Sequence, residues 1–168
     1  MRTLIRCLRA FHSALVADLE RKHEFAYERV GWVFAKSSRA TPDTTLLFPV
    51  EYVPVKDEDY VPDQAVGARF NAASIRAALQ HSRNTGLACL QTHLHDHRGH
   101  TSFSYVDVKT IDNLAPSFRA MAPKVPHGGL VLSRDSATAR LWLPDSTTPT
   151  MARVVLVGFP MVMGRAEP

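Results

Sequence analysis

At 168 residues, 45% of them hydrophobic, the chain has material for one domain with a substantial core and too little for two comfortable ones. Twenty Lys plus Arg against sixteen Asp plus Glu leave a net charge of +4 and a pI near 9.3, a mild excess scattered along the chain, which argues against a nucleic-acid binder. Cys7 and Cys89 stand far apart, so there is no CxxC metal pair and no disulfide framework; the apolar stretches "FHSALVADL" and "RVVLVGFPMVM" are too short for a signal peptide or a membrane span, and a soluble protein of the reducing cytoplasm is expected.

The first element is a strand, "RTLIRCL". In "RAFHSALVADLERKH", Phe11, Leu15 and Leu19 recur every four residues and predict an amphipathic helix. "ERVGWVFAK" from Glu28 and "TTLLFPVEYVPV" read as strands, the second marked by Pro49 and Pro54 as an edge or a broken strand. Lys56 to Arg69 is polar and marked by Pro and Gly, hence a loop. Helix two runs over "NAASIRAALQHSRNT" with Gly86 as its terminator. "LACLQTH" is a buried strand, and "SYVDVKTIDNL" places Val108, Ile111 and Leu114 at helical spacing before Pro116. "HGGLVLS", "TARLWL" and "RVVLVGF" complete the strands. The expected architecture is α/β, a mixed α+β fold with about three helices flanking a central mixed β-sheet, in one domain over residues 1–168. Trp32 and Trp142 are read as packing residues, Met151, Met161 and Met163 as gap fillers or tail, and Cys7 and Cys89 as buried thiols rather than nucleophiles.

Half of the eight histidines fall in "THLHDHRGH", at positions 93, 95, 97 and 100. Histidines at i and i+2 where a strand ends can turn toward one point, because alternate residues of a strand share a face. Converging neutral imidazoles suit zinc, and a catalytic zinc takes three protein ligands plus a water. Asp107, early in the following helix, is the candidate third ligand beside His93 and His95.

These residues resemble the motif of the JAMM, or MPN-plus, metallopeptidases: a glutamate in an E-x-[CV]-G context opening a strand, then H-x-H, then S-x-x-D. Glu28, Val30 and Gly31 match the first part, His93 and His95 the second, and Ser104 and Asp107 the third. The resemblance covers Arg2 to Phe159 and is nearest to small stand-alone members found with bacterial ubiquitin-like conjugation systems. One feature departs from it. Eight residues separate His95 from Ser104 where the family has seven; the shifted pair His95 and His97 leaves six. The His93 and His95 frame is preferred, since Thr92 continues directly from the apolar strand and a loop containing Gly99 can absorb one residue, with His100 a solvated loop residue.

The resemblance implies an MPN/JAB-type domain and a zinc-dependent isopeptidase that cuts after the C-terminus of a ubiquitin-like modifier, in deconjugation or precursor processing. It implies one Zn2+ per chain with a bound water, held by His93, His95 and Asp107. Glu28 would act as general base and Ser104 as oxyanion donor. Asp96 is a candidate to orient an imidazole. The implied partners are the modifier and its conjugates, with activating- and conjugating-enzyme-like proteins of the same system, and neither nucleic acid nor membrane. An extended modifier tail would lie as an added strand in a groove flanked by Lys56–Arg69 and Asp96–Phe103.

Plainer readings stand beside these. Ser104 and Asp107 alone form a helix capping box, and Glu20, Glu24 and Glu28 at four-residue steps can be the solvated face of a longer first helix. A silent MPN-type scaffold, a nickel- or copper-binding protein using His93, His95, His97 and His100, and a DNA-associated domain are the alternative functions.

Overall fold

Residues 2–158 are described by a computed structural model; Met161 and Met163 lie outside them. The elements are strand β1 (Arg2–Leu8), helix α1 (Arg9–Leu19), strands β2 (Val30–Thr41) and β3 (Thr44–Pro54), helix α2 (Ala72–Thr85), strand β4 (Ala88–Leu94), helix α3 (Tyr105–Met121), and strands β5 (His127–Leu132), β6 (Ala137–Trp142) and β7 (Thr150–Val157). A short 3-10 turn occupies Asp57–Asp59. No helix among the described residues is long and apolar enough to cross a membrane.

The strands close into a barrel in the order β1-β3-β2-β4-β5-β6-β7. This corrects the expected MPN/JAB-type arrangement of a central mixed sheet flanked by helices. Closure comes from β1, which pairs in parallel with β3 on one side (Leu4 opposite Leu46) and with β7 on the other (Leu4 opposite Arg153). That second pairing joins the two ends of the chain, a contact that local periodicity does not encode. The remaining neighbours are antiparallel except β4 with β5.

Period-two alternation sorts each strand between two apolar clusters. On β2, Val33 and Ala35 join Leu90 and Leu94 of β4, Leu130 and Leu132 of β5 and Leu141 of β6 in one cluster, which Leu15 and Leu19 of α1 also enter. Trp32, Phe34 and Cys89 point the other way, to Ala78 of α2 and Phe118 of α3. Every residue of β4 is buried, because β2 and β5 pair with its two edges and the clusters cover its two faces.

Local signals were obeyed with three adjustments. Helix α1 ends at Leu19, so Glu24 and Glu28 are not on it. Strand β3 runs between β1 and β2, and its pairing slips by one residue beside Pro49, where Phe34 faces Glu51 and Ala35 faces Pro49. A bulge accommodates the missing N–H donor of that proline. Helix α3 continues past Pro116 to Met121, held by its buried stripe Ile111, Ala115 and Phe118. Gly129 of β5 lets this helix approach: a Cβ there would collide with the Ile111 side chain. Helix α2 is capped by the Asn71 side chain and ends at Gly86, whose φ of 68° is left-handed. Met151 is an exposed residue of β7 and fills no gap.

His127, with no solvent exposure, ties three elements together. Its Nδ1 accepts from the Cys89 N–H at 3.1 Å, and its Nε2 donates to the Ala122 carbonyl at 2.9 Å. Burial holds this imidazole's pKa below the ordinary value, despite the two hydrogen bonds. The unfolded chain therefore binds the proton more readily, so this contribution to stability is complete above pH ~6.5 and is lost as pH falls below it. His127→Leu strands a buried N–H and a buried carbonyl, for an expected loss of about 2–4 kcal/mol at pH 7.5. Urea denaturation should show that loss, and a shallower decline of stability between pH 6.5 and 5 than in the wild type.

Candidate metal centre

Strand β4 delivers the first candidate ligand. Cys89, Gln91 and His93 share its outward face, and His93 is 3% exposed, paired in register with Val30 of β2 and Val131 of β5. His95 lies one residue past the strand, where its N–H bonds the Leu132 carbonyl at 2.8 Å. This added bond keeps the backbone tethered to β5 while the side chain turns back toward His93.

Helix α3 delivers the carboxylate. Asp107 stands four residues before Ile111 and eight before Ala115, so it prolongs the buried stripe of the helix toward β4. The capping box is present: the Asp107 N–H donates to Ser104 Oγ at 3.2 Å and the Ser104 N–H donates to Asp107 Oδ2 at 2.7 Å. Capping and ligand geometry are compatible here, because the box fixes the rotamer that aims Asp107 Oδ1 at His93 Nε2, 3.2 Å away. Asp107 Oδ2 lies 3.6 Å from His95 Nε2, and the two histidine Nε2 atoms are 3.0 Å apart.

Ligands at about 2.0–2.1 Å from a tetrahedral zinc stand about 3.3 Å from one another. The separation of the two imidazole nitrogens and the approaches of the two Asp107 oxygens, one to each histidine, bracket that value, so the three side chains can converge on one ion, as can Glu28 with the two histidines. Electrostatics favour the same use. Burial opposes the Asp107 charge, but His93 and the Ser104 N–H outweigh it and hold the carboxyl at about 2. Burial, then the adjacent His93, keep the His95 pKa below the ordinary value. An ionised carboxylate beside a neutral imidazole is the protonation state that metal binding requires. The Thr101 hydroxyl, fully buried, lies 3.4 Å from His95 Nδ1 and orients the ring.

Glu28 stands opposite. It lies in the loop before β2 rather than on the strand, and it offers a ligand atom within 4.8 Å of those of both histidines without pairing to either as an ion. Two features hold the loop. The N–H groups of Tyr27 and Glu28 both donate to the Gly67 carbonyl, at 2.9 and 3.1 Å. Arg29, 4% exposed, donates to the carbonyls of Arg21 and Lys22 and pairs with Asp57 at 2.6 Å. Arg29 escaped the sequence reading, since nothing local marks a charged residue as buried. Gly31 is dictated by packing, as a Cβ there would meet the Tyr52 ring.

Glu28, His93, His95, Ser104 and Asp107 all line one cavity of about 230 Å³, together with Gln91, Thr110 and the segment Ala65–Ala68. Part of the loop Lys56–Arg69 thus forms a wall, whereas no residue of Asp96–Phe103 lines this cavity. Asp96 orients no ligand: it is exposed and bonds Arg134 Nε at 2.7 Å. His97 and His100 are exposed, and the His97 Nδ1 faces the Arg98 carbonyl at 3.0 Å. The longer loop turns at Gly99, whose φ is 90° and whose N–H and carbonyl are held by Asp135 and Ser133. Burial pushes the Cys7 thiol up to about 11 and the Cys89 thiol well above its ordinary range, so neither is a nucleophile.

Comparison with protein-family models finds no match, and comparison with curated proteins finds none either. Among solved structures, the solution structure of protein DSY2949 from Desulfitobacterium hafniense is 13% identical, covers 91% of this chain and 92% of that one, and superposes with a TM-score of 0.46. Likeness of that degree transfers neither fold nor activity.

The geometry separates the two histidine frames experimentally. His97→Ala should retain one zinc per chain by elemental analysis, whereas His93→Ala should lose most of it. Loss of zinc in His97→Ala with retention in His93→Ala would reverse the frame.

Proposed function

We propose that the chain is a zinc-dependent peptidase of the JAMM type that hydrolyses the peptide or isopeptide bond after the C-terminus of a ubiquitin-like modifier. The observation that carries this reading is the convergence, in one cavity, of two histidines and an aspartate at close to zinc-ligand separations, with the Glu28 carboxylate lining the same cavity. The reading rests on the site and its motif, and not on the architecture the motif implied, which the closed barrel replaces.

His93, His95 and Asp107 would hold one Zn2+, leaving room for a water. Zinc so bound supplies a Lewis acid and lowers the pKa of that water from 15.7 to about 7. The Glu28 carboxylate takes the proton that the attacking water gives up, and returns it to the nitrogen as the C–N bond breaks, so the lysine or main-chain amine leaves neutral. Ser104 Oγ already accepts from the Asp107 N–H, which leaves its own proton free to donate to the carbonyl oxygen as charge develops there, a contribution of ~3 kcal/mol in comparable sites. A modifier tail laid against the cavity cannot pair with β4, both of whose edges are taken by β2 and β5; it would lie between that strand and the Ala65–Ala68 wall. The proposed partners are the modifier, its conjugates and the activating- and conjugating-enzyme-like proteins of the same system, in the cytoplasm.

Metal storage through a four-histidine cluster is disfavoured by the exposure of His97 and His100 away from the cavity. The deciding variant is Glu28→Gln: it should keep one zinc per chain and lower cleavage of a modifier fusion at least a hundredfold, with chelation abolishing wild-type cleavage and zinc restoring it. An active Glu28→Gln protein would end the proposal.

A further inference from the structure

Gln91 sits two residues before His93 on the same face of β4 and lines the same cavity. It is 9% exposed, and its Oε1 has no hydrogen-bond partner. A buried carbonyl oxygen without a donor costs free energy, and neighbouring Cys89 shows that an apolar residue fits this face. The carboxamide is therefore free to pair with a polar ligand entering the cavity.

We infer that Gln91 is a substrate-binding residue, its carboxamide pairing with a main-chain peptide group of the substrate. A carboxamide offers one acceptor and two donors, which complement the N–H and C=O of a peptide group together. Spacing fits an extended chain: alternate residues of a strand repeat about every 7 Å, so a peptide running parallel to β4 with its scissile bond at His93 brings another of its peptide groups over Gln91. This narrows the ligand to an extended main chain with little side-chain bulk, as the cavity of about 230 Å³ requires. The peptide class of the ligand rests on the proposed amide hydrolysis.

Zinc-loaded Glu28→Gln protein, which binds without cleaving, is titrated by calorimetry with an N-acetylated hexapeptide ending in two glycines, alone and with Gln91→Met added. The expected result is at least tenfold weaker binding with Gln91→Met, unchanged zinc, and a thermal midpoint equal to or above that of the parent, because an unpaired buried amide has been removed. Equal binding by the two proteins, absence of binding at millimolar peptide, or a midpoint lowered by several degrees would each overturn the inference. Cleavage is read separately in the wild type and in Gln91→Met alone. Gln91-dependent binding without any cleavage keeps Gln91 as a peptide-binding residue and ends the proposed hydrolysis; cleavage with an unchanged KM in Gln91→Met does the opposite.

Discussion

The site depends on strand β4 being held on both edges and both faces at once. Pairing with β2 and β5 fixes its height, so His93 stands opposite Val30 and Val131, and the pleat then commits Gln91 and His93 to the side that faces α3. A strand free on one side could slip by one residue, which would turn both side chains into the barrel. Pairing of β4 on both edges, to β2 and to β5, opposes that slip.

Against this fixed strand, α3 is positioned by contacts of unequal kinds. Ile111 over Gly129 sets how closely the helix approaches, while Ala115 and Phe118 set its rotation. Asp107 then arrives one turn earlier on the same stripe, and Ser104 locks its rotamer by capping the helix. The contact between Asp107 and His93 thus joins two elements whose placement was settled by apolar packing. Glu28 is held differently, by backbone bonds to Gly67 and by the buried guanidinium of Arg29. His93 and Asp107 thus rest on regular elements and His95 one residue past β4, whereas Glu28 rests on a loop braced by polar contacts.

How much of this was legible in the sequence follows from the range of each interaction. All seven strands and three helices could be read from local period and punctuation, as the Gly86 terminator and the Phe11, Leu15 and Leu19 spacing illustrate. The gathering of Glu28, His93, His95, Ser104 and Asp107 in one cavity was legible through the motif resemblance, which supplied Glu28 and Ser104, whereas local pattern offered only the paired histidines at a strand end and the nearby Asp107. Closure was not, since the pairing of β1 with β7 spans nearly the whole chain. Nor was the continuation of α3 through Pro116, where tertiary burial of Phe118 outweighs a local breaker. Buried Arg29 and the carboxamide of Gln91 were invisible for a related reason: solvent exposure of a polar residue is a property of the assembled fold.

In the proposed site, two imidazoles and one carboxylate hold a single zinc. Zinc K-edge absorption of the purified protein loaded with one equivalent measures this directly. The expected spectrum is four-coordinate, with two histidine nitrogens at about 2.0–2.1 Å, the remaining ligands oxygens at about 2.0–2.2 Å, and no sulfur. A shell fitted by three or more imidazoles, or a six-coordinate all-oxygen ion typical of loosely held metal, would contradict it.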